Sequence, residues 1–521
     1  MGFTSPTSMK HSDRPQVLIL GERHIDFEPF AQRGLTPIHI KIEELNDAMF
    51  TNNARGILLA PPSGKYGLIY SYFEERFHDV CKAGMLTAIY ATEKIVQVSE
   101  IRNQTFEDLG VGADILDLKE RKKWVESLPW VFIGEKDWVL AETLARHNPG
   151  PPLGSPIIDQ TGVVERIDSD SEYLLKRAFF DAERITIKRL AGGKTAKEAF
   201  CVFANLSRTE YGPQPMPFFV KIDSSSKIEK ETWHYRKVAE PFIPFHLRPS
   251  LNNARSVSSL KTSALVCNFV ENAVSLREAL RTGQGYGTIF SLFETTLRGL
   301  RSHTSTVDKK AGVLESFLEA KVRAHEIEEK QPERIRFLRE FNKTRPPQEI
   351  EQLLKRHAST IITREGPYHG DLHYGNIMVR NRDAIVIDYG SMGPFGPLYA
   401  DPAVLEVSLV FGTDDQDDPN GFESWREFVD YTFTDPLSPP LPDSRFPQFA
   451  WLHKAIRELR HVVACCGVEK NEALIILAGC LMRYGRNTHL KLATRELDSL
   501  AEKRRSYALV VAYQICDRLG N

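Results

Sequence analysis

Two carboxylates and one carboxamide crowd into a short stretch of this chain. The segment reads Tyr368-His369-Gly370-Asp371-Leu372-His373-Tyr374-Gly375-Asn376, and Ile385-Val386-Ile387-Asp388 follows. Asn376 comes five residues after Asp371, and Asp388 twelve after Asn376. In a loop, an acid and an amide five residues apart can converge on one side. The acid can then accept the proton of an incoming hydroxyl. The amide and the second acid can hold magnesium against nucleotide phosphates. Magnesium suits such a set, because it takes hard oxygen ligands, few from protein and the rest from phosphates and water. Taken singly, His-Gly-Asp is a plain turn and Asn376 a plain helix cap. Asp388, at the end of a β-branched run where a metal ligand belongs, weighs against that simpler reading.

These residues need a scaffold, and the chain alternates patterns that can supply one. From residue 16 to 146 short apolar runs, Val17–Leu20, Ile38–Ile42, Gly56–Ala60 and Leu86–Tyr90, alternate with helical periodicity. Phe73, Phe77, Val80 and Cys81 repeat as one helix face between the last two runs. That alternation predicts a three-layer α/β domain with a parallel sheet, flavodoxin-like or receiver-like in outline. Residues 1–15 read as disordered. Residues 147–160, rich in Pro and Gly, read as a linker.

Beyond the linker, Ser171 is placed to N-cap a helix, and Ile185–Leu190, Ala199–Ala204 and Phe218–Ile222 have strand patterns. From about residue 276 helices dominate. The charged segment 303–350 reads as solvated helices or an insertion, and Ala473–Met482 as a buried helix. Leu190-Ala191-Gly192-Gly193-Lys194-Thr195 lies between two strand patterns. Paired glycines there can turn backbone N–H groups onto phosphates, and an ordinary Gly-Gly hairpin fits equally. A Walker loop does not fit: Lys188 stands where that motif needs glycine, and a strand follows instead of a helix. Lys221 sits in the run Phe218–Ile222. In the next helix Glu231 shares a face with Ile228, Tyr235 and Val238, whereas Glu229 does not, so Lys221 is expected to pair with Glu231. A solvated lysine at a strand end is the plainer alternative.

The string from His369 to Asp388 resembles the aminoglycoside phosphotransferase and choline kinase superfamily, relatives of eukaryotic protein kinases. The family signature is roughly H-G-D-L-H-x-x-N, then an apolar strand ending in I-D. This chain matches at His369, Gly370, Asp371, Leu372, His373, Asn376, Ile387 and Asp388. The resemblance covers roughly residues 165–515. It implies an α+β two-lobed protein-kinase-like fold over 161–521, with an N-lobe of about 165–270 and a C-lobe from about 271. It implies Asp371 as catalytic base, Asn376 and Asp388 as magnesium ligands, and ATP as phosphoryl donor.

The same resemblance carries supporting roles. Lys221 would be the phosphate-binding lysine. Leu265–Glu271 is similar to the hinge strand, where backbone groups of Asn268 and Val270 would pair with adenine. Asp401-Pro402-Ala403 would open a helix that braces the catalytic loop, with Asp401 as N-cap and Pro402 as the first helical residue. His369 would be structural, and His373 would face phosphate or order the loop. Asp401–Glu406 also resembles kinase-like modules called ternary complex associated domains.

The remaining composition sets bounds. The chain has 521 residues, 42% apolar and 26% charged, which fits two or three soluble domains. A net charge of −2 points away from nucleic acid and anionic membranes. Seven cysteines, none spaced C-x-x-C, fit a reducing cytosol better than disulfides or a metal knot. Gly21 stands alone after the first strand, so no dinucleotide fingerprint is present. The third strand runs into Ala60-Pro61-Pro62 with no acceptor aspartate, which argues against phosphorelay.

The expectation is an ATP- and magnesium-dependent phosphotransferase acting on a small-molecule or protein hydroxyl. The N-terminal domain would be a degenerate receiver for regulation or partner binding. The alternative is a catalytically silent kinase-like module that binds nucleotide or protein. The acidic run Asp414-Asp415-Gln416-Asp417-Asp418 would attract a cationic acceptor, or is simply solvated.

Overall fold

The structure, a computed structural model, describes residues 15–22, 24–45, 48–49, 54–60, 76, 79–80, 83–90, 132–133, 137–146, 149–160, 166–190, 198–206, 217–259, 262–307, 312–412, 421–441, 443–465, 467–487 and 500–519. The chain divides into two compact units, Met1–Ile228 with Leu251–Phe269, and Glu229–Ser250 with Val270–Asn521.

The first unit opens with strands β1 (Gln16–Leu20), β2 (Thr36–Ile40), β3 (Ala54–Leu59), β4 (Leu86–Tyr90) and β5 (Phe132–Ile133). They form one parallel sheet in the order β2-β1-β3-β4-β5, a doubly wound order. The inner strands β1 and β3 are mostly apolar runs because the middle of a parallel sheet is buried on both faces, whereas edge strand β2 is only part-buried. Val17, Ile19, Leu58 and Leu86 share a core with Leu140 and Leu144 of helix Asp137–Arg146. Gly56 lets that helix close on the sheet: a Cβ there would collide with the Leu144 side chain of the helix and with the Leu86 carbonyl oxygen of β4. Of the helix face read from the sequence between β3 and β4, Phe73, Phe77 and Cys81 lie outside the described residues.

A second sheet in this unit has the order β10-β9-β8-β7-β6, from β6 (Ile157–Asp159), β7 (Ala182–Arg189), β8 (Glu198–Leu206), β9 (Phe218–Ser224) and β10 (Thr262–Asn268). β6 runs parallel to β7, and the other neighbours are antiparallel. The helix over this sheet, Ser169–Ala178, is N-capped by Asp168, which accepts from the Ser171 amide at 2.7 Å. The cap is therefore three residues upstream of Ser171. Leu174, Leu175 and Phe179 pack on Ile185, Val202, Val220 and Val266.

The stretch read as a linker is anchored wherever it is described. Ile157–Asp159 is sheet, and the Pro149 and Pro151 carbonyls each accept a bond from the Arg177 guanidinium, at 2.9 and 3.0 Å. A third donor of Arg177 reaches the Ala83 carbonyl at 2.9 Å, so one buried cation ties the first sheet's loops to the second sheet's helix.

In the second unit, β13 (Thr363–Tyr368) pairs with β12 (Ser305–Val307) and β16 (Gly393–Pro397). β14 (Ile377–Arg380) and β15 (Asp383–Val386) form a hairpin beside β11 (Val274–Ser275). Helices fill the rest. Ala400–Phe411 is buried at every position, and Ala473–Met482 lies within helix Lys470–Arg486 and is likewise buried. The charged segment 313–340 folds as three helices that bury Leu314, Phe317, Leu318 and Leu338, so it is not simply solvated. Among the described residues no helix is long and apolar enough to cross a membrane.

Candidate active site

The hairpin of β14 and β15 sets the site's geometry. Its turn residues Asn381 and Arg382 both have positive φ, 52° and 74°, the geometry of a tight two-residue hairpin. Pairing runs from Arg380↔Asp383 to Ile377↔Val386. One step past the paired end, the Ile387 amide donates to the Asn376 carbonyl at 3.0 Å. Asn376 and Asp388 are thus carried to the same open end of one hairpin. Asp388 has φ 61°, which costs a non-glycine residue energy and is held only where surroundings fix it. The Gly390 amide donates to its Oδ1 at 3.3 Å.

The loop carrying Asp371 is fixed from behind. Asp401 accepts the amides of His369 and Gly370 on separate oxygens, at 2.7 and 2.9 Å. Burial pushes its carboxyl above the usual range, and His369 with those two amides opposes the rise. Asp401 is not the N-cap expected from sequence. The helix begins at Ala400 with Tyr399 as cap, because both Asp401 oxygens are taken by the loop and neither serves its own helix. His369 is fully buried, and its Nδ1 accepts from the Asp371 amide at 3.4 Å. Its Nε2 therefore carries the proton and donates to the Ile387 carbonyl at 3.1 Å. The imidazole bridges the loop to the strand that ends in Asp388. Gly370 takes φ 76°, and a Cβ there would meet the Ser391 carbonyl oxygen at 2.3 Å.

His373 caps the short turn Tyr374–Asn376, its Nδ1 accepting from the Gly375 amide at 3.1 Å. Burial lowers its pKa, with Asp371 and Asp388 opposing, so it is an acceptor that orders the loop. Asn376 donates Nδ2 to the Asp371 carbonyl at 2.9 Å. That bond fixes the amide's orientation and leaves Oδ1 as the atom able to accept or ligate.

Two residues that the sequence did not single out close on the base. Arg483 Nη2 donates to Asp371 Oδ1 at 2.8 Å, and Arg483 Nη1 reaches the Gly370 carbonyl at 3.5 Å. Lys321 Nζ donates to the same carbonyl at 3.0 Å. Burial would raise the Asp371 pKa, but Arg483, then His373, His369 and Lys321, hold it below the ordinary carboxylate value. Burial and Arg483 bring Lys321 down to about 8. Lys321 ends a helix in a charged segment and Arg483 ends an apolar one, so neither carried a motif.

Glu231 is buried while Glu229 is exposed. Its Oε1 accepts from the Tyr389 amide at 3.4 Å, and His234 Nδ1 lies 3.2 Å from the Tyr389 carbonyl. Glu231 thus braces the residue after Asp388, within the second unit. Lys221 belongs to the first unit, buried on β9 between Ala199 and Leu265. Asn268 is the exposed last residue of β10, opposite Phe218, and Val270 opens the second unit's main segment. Gly192 and Gly193 lie outside the described residues, as does the acidic run at 414–418.

The donor set fits magnesium. Asn376 Oδ1 and the Asp388 carboxylate are hard oxygens at one hairpin end. Among the described residues no group of three or more His, Cys, Asp and Glu could hold an ion.

No protein-family model matches the chain, and no curated protein matches it by sequence. Solved structures are similar to it. One is the aminoglycoside phosphotransferase APH(4)-Ia, at 13% identity, covering 64% of this chain and 94% of that one with a TM-score of 0.39. Another is a glucosamine kinase in complex with glucosamine, ADP and inorganic phosphate, at 14% identity, 67% and 87% coverage and a TM-score of 0.34. A third is the aminoglycoside phosphotransferase APH(3'')-Id from Streptomyces rimosus, at 18% identity, 56% and 99% coverage and a TM-score of 0.30. At such scores the functional reading rests on this chain's own residues.

Proposed function

We propose that the chain is an ATP- and magnesium-dependent phosphotransferase acting on a hydroxyl. The observation that carries this reading is the open end of the β14–β15 hairpin. There Asn376 Oδ1, its partner amide nitrogen tied to the Asp371 carbonyl, stands with Asp388 beside the Asp371 loop. Asp371 orients the acceptor hydroxyl and takes its proton. Asn376 and Asp388 would hold magnesium, which when bound neutralises charge on the phosphates. His369 and Asp401 keep the loop in place, and His373 holds its turn. Lys221 is proposed to offset phosphate charge, Gly192 and Gly193 to offer backbone N–H groups to phosphate, and Asn268 and Val270 to pair with adenine. The parallel-sheet region at 16–146 is proposed as a degenerate receiver-like module that regulates the enzyme or recruits a protein partner, in a cytosolic setting.

One observation favours the rival reading, a silent binding module: Arg483 already occupies one oxygen of the proposed base. Asp371 Oδ2 remains for a hydroxyl, so the pair restrains the base without consuming it. The test is magnesium-dependent ATP consumption across a panel of hydroxyl acceptors, by wild type and Asp371→Ala. The reading expects activity lost and nucleotide binding kept in the variant. Equal turnover in both proteins would support the silent module.

A further inference from the structure

Two cationic side chains reach the loop that carries the proposed base. The ionisable groups that act most strongly on Asp371 are Arg483, His373, His369 and Lys321, all of them basic. Two are full cations that converge on the Gly370–Asp371 peptide from separate helices, Val313–Lys321 and Lys470–Arg486. The nearby acid outside the loop, Asp401, has both oxygens turned to the backbone amides of His369 and Gly370. Lys321 commits one of its three donors, to Gly370, and Arg483 two of its five, one to Gly370 and one to Asp371. Both cations are half-buried, so their uncommitted donors sit where an incoming ligand can replace water.

A part-buried guanidinium with donors to spare is suited to a carboxylate or phosphate. A cationic acceptor brought to the same base would meet like charge. Resting on the phosphotransferase reading, we propose that the acceptor is an alcohol that also carries an anionic group, a carboxylate or a phosphate ester, held by Arg483 and Lys321 while its hydroxyl faces Asp371 Oδ2. Arg483 then has a double role: it positions Asp371 in the empty site and recognises the anion in the filled one.

The test is a shape-matched series of three-carbon alcohols titrated calorimetrically into the full-length protein with magnesium and AMP-PNP present. The series is glycerate, glycerol 3-phosphate, neutral glycerol and cationic 3-amino-1,2-propanediol. The two anionic members are expected to bind at least tenfold tighter than the neutral and cationic ones, and the stronger of the two identifies carboxylate or phosphate as the preferred group. Arg483→Gln and Lys321→Gln should each cut that preference at least fivefold, while Arg483→Lys and Lys321→Arg retain most of it. Asp371→Asn, which releases Arg483, should tighten anion binding. Equal or absent binding of the anionic members, tighter binding of the cation, or an unchanged preference in both glutamine variants would overturn the proposal. Binding is read without turnover, so this result stands apart from the ATP-consumption test of Asp371, which alone decides the phosphotransferase reading.

Discussion

Two arginine–carboxylate pairs in the second unit are built to opposite ends. Arg460 and Glu406 have side chains 1% and 0% exposed, with a contact of 2.6 Å. Arg460 also donates to the carbonyls of Thr432, Asp435 and Ser438, which hold it inside the helical core. Arg483 and Asp371 remain 19% and 28% exposed, joined by a single bond to the carboxylate. The first arginine is enclosed by Glu406 Oε1 and three main-chain carbonyls, while Glu406 Oε2 is buried without a hydrogen bond. The second keeps donors in reserve beside a base with a free oxygen. The difference teaches that a cation enclosed by main chain fixes architecture, whereas one left part-exposed beside the proposed base keeps donors within reach of a ligand.

The largest effect expected from this contrast is catalytic. Asp371→Asn should lower kcat by a factor on the order of 10²–10⁴, the usual worth of a positioned base, with thermal stability nearly unchanged. Steady-state ATP turnover and a melting curve on the same preparation check both halves.

Next comes the enclosed pair. Arg460→Met strands the Glu406 charge in the core and should cost about 3–5 kcal/mol in denaturant unfolding. Arg483→Gln, in the more open pair, should cost no more than about 1 kcal/mol. Equal costs would erase the distinction between the two pairs.

The open pair should instead show in the pH profile. Arg483 leads the groups that hold the Asp371 pKa below its ordinary 3.8 against the upward push of burial. Asp371 is competent as a base above its folded pKa, so the wild-type acid limb from this group lies below that value. In Arg483→Gln burial acts with less opposition, and the acid limb of kcat/KM moves to higher pH. The same sign governs stability: the contribution of Asp371 is present above its unfolded pKa and lost as pH falls through the folded one.

The smallest effect concerns Glu472, whose Oε1 is buried without a hydrogen bond. Burial, with Glu469 adding to it, raises its pKa from 4.5 to about 7. The folded state holds this proton to higher pH than the unfolded chain does, so stability falls as pH rises from 4.5 towards 7. Glu472→Gln should therefore gain about 1–2 kcal/mol at pH 8 and little near pH 4.5, read from melting temperatures at the two values.

How much of this was legible depended on distance along the chain. Asp371, Asn376 and Asp388 fall within one loop and one hairpin, so local spacing nearly determines their meeting. Asp401 was legible as a brace, but its place in the helix was misjudged by sequence rules for capping, because a tertiary demand for two backbone amides took its oxygens. Lys321 and Arg483 lie 49 positions from Gly370 and 112 from Asp371, and each looks like a solvated charge until packing buries it. Arg177 likewise carried no motif, and it anchors the Pro-rich stretch by bonding carbonyls 26 and 28 positions away. Buried cations that bind main chain leave no periodic signal, since their partners have no side-chain identity.

The central claim is that Asn376 and Asp388 hold the metal of a nucleotide while Asp371 serves only the acceptor. Calorimetric titration of AMP-PNP, with and without magnesium, into wild type, Asp388→Ala and Asp371→Ala separates those roles. The account predicts that magnesium tightens binding at least tenfold in wild type and in Asp371→Ala, and that this gain disappears in Asp388→Ala. A full magnesium gain in Asp388→Ala would contradict it.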